Sequence, residues 1–459
     1  MKYLVLPVLL LAVAACAGPK ADVPPEAAVH APEGWRGPGT AAGEISAVWW
    51  SGFSDPALAR IVKTALANND DIAIAAARVA EARAQFRFAH AETLPNVGSE
   101  TELERDLSIN PGFGIPQTQT DGEGIIQISY DTDLFGRLAD TEKSAQSALL
   151  ATEASRDNVR LAVAAAAASG YITLRGLDAR LLVVRDTLAA RGEELRVAKR
   201  RADAGYGTQL DLAQAEAVYH ATEQLIPATE LAITRQENGL SVLLGDNPKA
   251  VDRGKELDFL GSPVVPASLP SGLLRRRPDI EAAEQYLAAA DHALDAARDA
   301  FMPDLQLAAA GGLVGSTLVP GSPLGVWSFG SSILAPIFSA GRLDAQQDAA
   351  TARRDQAAFA YRKTALTAFR EVEDSLSSVE RDEEQEKALA AERDSQARAL
   401  MLATHRYREG YSPYLDQLDA ERGLLSARLA LVQARTDRLN AIVTLYQSLG
   451  GGWQPPVEP

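Results

Sequence analysis

Four segments of the chain alternate apolar and polar side chains, the pattern of β-strands that have one apolar and one polar face. The segments form two pairs, at 97–104 and 126–131 and at 304–307 and 327–333. A Gly- and Pro-rich loop is expected within each pair, at Asn110–Gly124 and at Gly315–Gly325. The alternation fits strands of an outer-membrane barrel, apolar toward lipid and polar toward a wet lumen. It also allows a soluble hairpin that lies on helices.

Apolar positions that recur every three or four residues predict helices elsewhere. A short helix is expected to begin at Asp55-Pro56, and others at Asp70–Leu94 and Pro278–Phe301. The helices predicted at Gly136–Asp203 and Gly341–Glu409 are much longer. At about 1.5 Å per residue, each would reach on the order of 100 Å.

Each long helix ends at a turn that contains a glycine, Gly205 in the first half and Gly410 in the second. A return helix is expected after each turn, at 208–244 and at 413–449. Each half therefore combines a strand pair with a long helical hairpin. Alanine-rich stretches along these hairpins favour helix formation and allow close packing between helices.

The two halves match each other at a shift of 205 to 208 residues. The matching motifs are Asp71-Ile72 with Asp279-Ile280, Gly136-Arg137-Leu138 with Gly341-Arg342-Leu343, Gly205-Tyr206 with Gly410-Tyr411, Leu210-Asp211 with Leu415-Asp416, and Leu244-Gly245 with Leu449-Gly450. Such matches indicate one structural unit built twice. The predicted fold class is α+β and internally duplicated. The expected domains are repeats at 47–245 and 273–450, a linker at 246–272 and a short tail at 451–459.

The beginning of the chain indicates export. Residues 1–15 have a positive start followed by an apolar run, as in a signal peptide. This segment ends at Cys16, the only cysteine of the chain, and the arrangement resembles the lipobox of bacterial lipoproteins. The resemblance implies a lipidated Cys16 in the outer membrane; an ordinary signal peptide that happens to contain cysteine is the alternative. Residues 16–46, rich in Pro, Gly and Ala, are expected to form an extended tether.

Composition excludes several classes of protein. A net charge of −16 argues against nucleic-acid binding, because phosphate contacts need a basic surface. The five histidines are scattered without a second ligand at metal spacing, and no Gly-rich phosphate loop follows a strand. We therefore expect no enzyme activity, no cofactor and no metal. After the signal, no stretch approaches the roughly 20 apolar residues of a transmembrane helix.

The number of strands has a consequence for assembly. Two strands in each half make four per chain, which is too few to close a barrel. An open sheet in a bilayer would leave unpaired edges that lipid cannot satisfy. If these strands span a membrane, several copies of the chain must share one barrel.

Several motifs resemble the outer-membrane efflux duct family, the TolC-like proteins. They are the run Leu273–Glu284, which contains RRRPDI, Phe301–Leu305, Pro336-Ile337-Phe338 with Gly341-Arg342, and Arg406–Gly410 followed by Tyr414–Glu421. Together with Cys16 and Trp49-Trp50, they are most similar to the lipoprotein branch labelled NodT-type or OprM-like. The resemblance covers essentially the whole mature chain.

That resemblance implies a homotrimer in the outer membrane that shares one β-barrel, with four transmembrane strands from each chain. The barrel would continue as an α-helical barrel through the periplasm, with the linker in a belt around it. A periplasmic adaptor and an inner-membrane pump, expected to be of the RND type, would be the partners. The predicted function is passive, gated efflux of drugs or other small toxic compounds. An exit duct for type I protein secretion and a periplasmic scaffold or adaptor remain alternatives.

The resemblance also assigns roles near the turns. Leu415, Asp416 and Asp419 match the positions that close the periplasmic end, and helical spacing places them on one face. Asp211 and Tyr407 match residues that lock neighbouring hairpins, whereas Ser412 stands where some relatives have an arginine. The alternative is that these acids only stabilise helix starts. The arginines at 275–277 are expected to be structural and to pair with nearby acids.

Overall fold

The computed structural model describes residues 20, 22–36, 41–42, 45–109, 114, 116–263, 266–267, 270–319 and 321–454. The predicted signal peptide and Cys16 lie outside the described residues. Among the residues described, none of the helices combines the length and the apolar character needed to cross a membrane.

Long helices and four strands dominate the described part of the chain. In order, they are α1 (Pro56–Asn68), α2 (Asp70–Glu92), β1 (Asn96–Ile109), β2 (Pro116–Asp131), α3 (Arg137–Asp203), α4 (Gln209–Glu223), α5 (Leu225–Leu243), α6 (Pro278–Asp299), β3 (Asp304–Ser316), β4 (Leu324–Leu334), α7 (Arg342–Arg408) and α8 (Tyr414–Ser448). Helices α3 and α7 contain 67 residues each, as the sequence predicts. The other predicted elements are present. Most of their ends differ by a few residues, but β3 continues nine residues beyond the predicted segment 304–307 and, with β4, takes up both ends of the loop predicted at Gly315–Gly325. Two further predictions need correction.

The first correction concerns the loop predicted at Asn110–Gly124. This prediction is wrong at its C-terminal end, because β2 already begins at Pro116 and contains both Gly122 and Gly124. These glycines therefore lie in a strand rather than in a turn. A Cβ added at Gly312 of β3 would lie 2.1 Å from the carbonyl oxygen of Gly124, so the two backbones approach where neither residue has a side chain.

The second correction concerns the return helix predicted at 208–244. It is broken at Gln224, between α4 and α5. Pro227 lies in the first turn of α5. Proline has no backbone N–H and its ring clashes with the preceding turn, so an uninterrupted helix is disfavoured here. The second repeat has no proline inside this element, and α8 continues for 35 residues.

The four strands form one antiparallel sheet in the order β1-β2-β3-β4. The central pair, β2 and β3, joins the two repeats and places Ile128 opposite Ala309. Strands β1 and β4 form the two edges. Each edge strand has one side without a strand partner among the described residues.

The two faces of the sheet differ as the alternation predicts. On one face, a row of apolar side chains crosses all four strands at Val97, Ile128, Ala309 and Phe329. The opposite face carries carboxylates, and those of Glu100, Glu102 and Glu123 offer oxygens within 4.8 Å of one another. Apolar side chains are strongly exposed in the single chain, Leu103 by 79% and Trp327 by 84%.

Repeated glycines adopt the same backbone conformation in both halves. All six have positive φ: Gly136 (90°) and Gly341 (81°), Gly205 (76°) and Gly410 (80°), Gly245 (69°) and Gly450 (88°). A Cβ at Gly245 would lie 2.3 Å from the carbonyl oxygen of Asn68, and one at Gly450 would lie 1.9 Å from that of Arg276. Asn68 and Arg276 are themselves 208 residues apart, so the duplication extends to these contacts.

The chain divides into two compact units, each of which takes segments from both repeats. The first unit consists of Met1–Ala28, Arg78–Glu153 and Ala282–Lys363, and the second of Val29–Ala77, Ala154–Glu281 and Thr364–Pro459. The domain boundaries expected from the sequence stay predictions.

A buried aromatic cluster anchors the second unit. Trp49 stacks on Tyr446 with the ring centroids 5.5 Å apart. The hydroxyl of Tyr171 donates to Asp55 at 2.8 Å, while the other carboxylate oxygen of Asp55 accepts the N–H of Ala57 at the start of α1. Burial raises the pKa of Tyr171 to about 12, so this hydroxyl remains a donor at neutral pH.

The linker predicted at 246–272 has little regular structure in its described part. It contains a single turn of 3₁₀-helix at Leu257–Phe259, a two-residue parallel pairing of Pro266–Ala267 with Ala41–Ala42, and the start of a four-residue helix at Pro270–Leu273. The linker packs on α3, because Gly254 donates its N–H to the hydroxyl of Tyr171 at 2.8 Å and Lys255 accepts from Arg175 at 2.8 Å.

Candidate functional site

The turns at the ends of the hairpins are built in the same way in both repeats. The N–H of Tyr206 donates to the carbonyl of Arg201, and that of Tyr411 donates to the carbonyl of Arg406, both at 2.8 Å. The left-handed backbone of Gly205 and Gly410 allows these contacts, which close the ends of α3 and α7. The two glycines therefore occupy turns, as predicted.

The start of α8 has one buried and one exposed face. Tyr414, Gln417, Leu418 and Glu421 are buried. Leu415, Asp416 and Asp419 are exposed and share the other face, which we call the tip face. Asp419 lies 3.5 Å from Arg422, an exposed pair of small energetic value. The predicted gate residues thus come together on one surface of the chain.

The two repeats cap their return helices differently. In the first, Thr208 and Asp211 form a capping box: the N–H of Asp211 donates to the Thr208 hydroxyl at 3.0 Å and the N–H of Thr208 donates to the Asp211 carboxylate at 3.4 Å. In the second, Pro413 stands at the cap and has no N–H to donate. The Asp416 side chain has no hydrogen bond or ion pair among the described residues. Asp211 therefore caps its helix by hydrogen bonds, whereas Asp416 lies in the first turn of α8 without such a bond, where its charge still favours the helix dipole.

The predicted lock residue Tyr407 contacts a residue that sequence reasoning missed. Arg201 lies at the end of α3, and its guanidinium donates to the Tyr407 hydroxyl at 3.3 Å and lies 5.6 Å from the ring centroid. Tyr407 also packs on Tyr414, with ring centroids 5.1 Å apart. An arginine thus contacts Tyr407 in this chain, although Ser412 stands where some relatives have one. The lock formed by Asp211 and Tyr407 between neighbouring hairpins stays a prediction.

A polar cluster beneath the tip face, buried except for the half-buried Glu194, was also missed. It consists of Arg191 and Glu194 from α3 and Gln417 and Glu421 from α8. Polar side chains at these helical positions resemble an ordinary solvated face in the sequence. The available signal was that Gln417 and Glu421 lie three and seven residues after Tyr414, in the same stripe as Leu418.

Among the three arginines before α6, only Arg277 behaves as predicted. It is buried, with ion pairs to Asp279 at 2.7 Å and Glu371 at 2.8 Å, and it donates to the carbonyl of Ser448 at 2.9 Å. Arg275 and Arg276 are exposed and have no acidic partner among the described residues. The expected pairing is therefore confirmed for Arg277 alone.

Comparison with known proteins identifies the chain. The family model described as "Outer membrane efflux protein" matches residues 61–246 and again residues 269–451, once in each repeat. The chain belongs to the outer membrane efflux protein family. The predicted resemblance is confirmed, and so is its function as an outer-membrane efflux duct. The role supported by this family is transport through a channel rather than catalysis.

Individual relatives extend over nearly the whole chain. The toluene efflux pump outer membrane protein TtgC of Pseudomonas putida is 35% identical over 447 residues, which cover 94% of this chain and 91% of that protein. The pyoverdine export outer membrane protein OpmQ of Pseudomonas aeruginosa is 32% identical over 464 residues, covering 99% and 98%. The solved outer-membrane channel OprN has a TM-score of 0.87 at 29% identity and covers 95% of this chain and 99% of its own.

Proposed function

We propose that this chain is the outer-membrane exit duct of a tripartite efflux system. It would receive drugs or other small toxic compounds from a periplasmic adaptor and an inner-membrane pump of the RND type, and conduct them passively to the exterior. The names of the relatives support small-molecule export over protein secretion: TtgC is named for toluene efflux and OpmQ for pyoverdine export.

The observation that carries this proposal is the open sheet. It has four strands with two unpaired edges among the described residues, and its apolar face is exposed in the single chain. Lipid can solvate an apolar face but cannot satisfy the backbone groups of an open edge. Three copies that share one barrel would pair every edge. The carboxylates of the opposite face would then line a cation-favouring lumen.

The internal repeat predicts how neighbouring copies pair. Within the chain, Ile128 of β2 lies opposite Ala309 of β3. Shifting Ile128 by 205 positions gives Ile333 of β4, and shifting Ala309 back by 208 positions gives Thr101 of β1. Ile333 and Thr101 both belong to the apolar face. We therefore expect Ile333 of one copy opposite Thr101 of the next.

Cysteine crosslinking tests this assembly. The double variant Thr101→Cys with Ile333→Cys should form disulfide-linked dimers and trimers on mild oxidation in outer membranes, because opposed antiparallel positions bring Cα atoms to disulfide distance. Ser99→Cys with Ile333→Cys is a matched control on the same face but two residues out of register. Equal crosslinking of both pairs would contradict the register.

Channel recording tests the function itself. The detergent-extracted protein should be a trimer by light scattering and should give small, cation-favouring conductance in planar bilayers. A monomer without channel activity that stays soluble once the lipid is removed would favour the periplasmic scaffold instead.

Lipid anchoring at Cys16 is a further part of the proposal. Lys20, four residues later, contacts Asp291 and Asp295 of α6 at 2.8 Å each. The carbonyl of Asp22 accepts from Arg354 at 3.0 Å. These contacts hold the described part of the tether to α6 and α7 and would keep an acylated Cys16 close to them. Incorporation of labelled palmitate, abolished by Cys16→Ser, is the measurement that tests this.

A further inference from the structure

The buried cluster beneath the tip face joins α3 to the start of α8. Gln417 donates to a carboxylate oxygen of Glu194 at 3.2 Å and to one of Glu421 at 2.9 Å. Gln417 is 4% exposed and Glu421 is 6% exposed. A single amide thus bridges two carboxylates that belong to different helices.

The cluster contains one positive charge for two carboxylates. Arg191 is 6% exposed, and its Nε lies 4.0 Å from Glu421. One terminal nitrogen of its guanidinium donates to the carbonyl of Val218 at 3.1 Å and also to the hydroxyl of Thr222, both in α4. Within the described chain, the Nε and the other terminal nitrogen of Arg191 and one oxygen of Glu421 have no hydrogen-bond partner. With both acids ionised, the site would hold an uncompensated negative charge shared by the buried Glu421 and the half-buried Glu194.

A proton held in the cluster removes this imbalance. Burial raises the pKa of Glu194 to about 8, and the hydrogen bond and the charge of Glu421 add to the effect, whereas Arg191 and Gln417 oppose it. Two further groups, Arg422 and Tyr414, act on Arg191, and Tyr407 and Asp211 in turn act on Tyr414. Burial also raises the pKa of Tyr414, so Tyr414 adds no negative charge near neutral pH.

We propose that Arg191, Glu194, Gln417 and Glu421 form a proton-dependent clasp that positions the first turns of α8 against α3. The clasp lies on the buried face of the segment whose other face carries Leu415, Asp416 and Asp419. Loss of the proton leaves the buried Glu421 carboxylate and the half-buried Glu194 carboxylate in repulsion across the α3–α8 contact and loosens this segment. The effect on the gate rests on the proposed function, but the clasp itself does not.

The pH window follows from the difference in proton binding. A locally opened segment exposes Glu194 to water, where its pKa returns toward the ordinary value of 4.5. Between that value and about 8, the closed state binds a proton that the open state releases. Raising the pH therefore favours opening by up to about tenfold per pH unit, and the effect levels off above the upper value.

Hydrogen exchange of the full chain in detergent tests the clasp. After correction for the intrinsic pH dependence of exchange, protection of 414–424 should fall by about tenfold per unit from pH 5.5 to 7.5 and level off above about pH 8. Protection of 436–446, further along α8, should not follow this profile. Glu194→Gln should remove the pH step and retain high protection, because it leaves one cation facing one carboxylate.

Two further variants sharpen the result. Glu193→Gln changes an exposed neighbour on the same helix and should keep the wild-type profile. The double variant Glu194→Gln with Glu421→Gln leaves Arg191 without a carboxylate in the cluster, and it should lower the protection of 414–424 at every pH. A flat wild-type profile, or loss of the step in Glu193→Gln, would overturn the clasp.

Bilayer conductance over the same pH range separates the clasp from the duct. A pH step in exchange together with a pH step in conductance, both removed by Glu194→Gln, supports the clasp and its effect on the gate. A step in exchange without channels at any pH supports the clasp while the proposed function fails. Channels without a step in exchange leave the proposed function standing and overturn the clasp.

Discussion

The two repeats contain the same succession of helices and strands, but their return helices, which follow the turns at Gly205 and Gly410, differ. The first return path is broken at Gln224 and starts with the capping box of Thr208 and Asp211. The second is one helix of 35 residues that starts after Pro413 without a side-chain cap. Duplication thus preserved the turns and the packing, while in the second copy the Asp416 carboxylate makes no capping hydrogen bond to its own helix. A carboxylate that makes no hydrogen bond within its own chain can face a pore, although it still favours the dipole of its helix.

A second difference lies at the far ends of the return helices. In the first repeat, Asn69 donates to the carbonyl of Leu243 at 3.0 Å and also accepts the N–H of Asp71 at the start of α2. At the equivalent position, Arg277 donates to the carbonyl of Ser448 and adds two ion pairs. The same backbone junction is held by a neutral amide in one half and by a buried cation in the other.

Replacing one of the repeated glycines by alanine should cause the largest loss of stability among the variants proposed here. Gly450→Ala places a Cβ 1.9 Å from a backbone oxygen and forces a left-handed conformation on alanine. The conformation alone costs about 1–2 kcal/mol, and the clash adds to it, so the thermal midpoint in detergent should fall sharply. Gly245→Ala should be milder but still destabilising. Gly239→Ala, in an exposed stretch of α5 with nothing within 4 Å, should instead raise stability slightly.

Loss of Arg277 should be the next largest effect on stability. Arg277→Ala leaves Asp279, Glu371 and the carbonyl of Ser448 without their partner, and we expect about 2–3 kcal/mol of destabilisation because hydrogen bonds to charged groups are lost. The partial exposure of Glu371 keeps the cost below that of a fully buried pair. Asn69→Ala should cost about 1 kcal/mol. Arg276→Ala is the exposed control, and an equal loss there would contradict this assignment.

The architecture could be predicted from the sequence because its signals are local and repeated. The alternation of apolar and polar side chains correctly predicted strands β1 to β4. The long stretches without a proline or other helix breaker correctly predicted helices α3 and α7. The errors occurred where one residue type has two uses. Gly122 and Gly124 suggested a loop, but they lie inside β2, and the residue that must be glycine for close strand packing there is Gly312 of β3. The single Pro227 was overlooked inside an otherwise helical pattern.

The site was only partly predictable for a different reason. Leu415, Asp416 and Asp419 share a helix face by spacing alone, and the structure exposes them together. The contact of Arg201 with Tyr407 and the contacts of the clasp join residues of different helices. The hydrophobic period of one helix does not reveal which other helix packs beside it. Arg191 and Glu421 are 230 positions apart in the chain, yet they meet at 4.0 Å.

The difference between the tips can be tested by conductance. Leu415→Ala with Asp419→Ala should raise single-channel conductance several-fold, because it removes an apolar constriction and a ring of carboxylates from the predicted gate. The equivalent change in the first repeat, Leu210→Ala with Gln214→Ala, removes side chains of similar size and should leave conductance near the wild-type value. If both double variants open the channel equally, the gate does not belong to the second repeat alone.

The smallest expected effect distinguishes the two helix starts. Thr208→Ala removes the capping box of the first repeat and should destabilise the start of α4 by about 1 kcal/mol, measured as faster hydrogen exchange over 209–215. Asp416→Asn, at the matching position of the second repeat, should leave exchange at the start of α8 nearly unchanged, because its carboxylate caps no backbone N–H there. Its effect should appear instead as weaker cation preference in the bilayer. Faster exchange at the start of α8 in this variant would assign Asp416 to helix stability and leave the pore without that ring of charge.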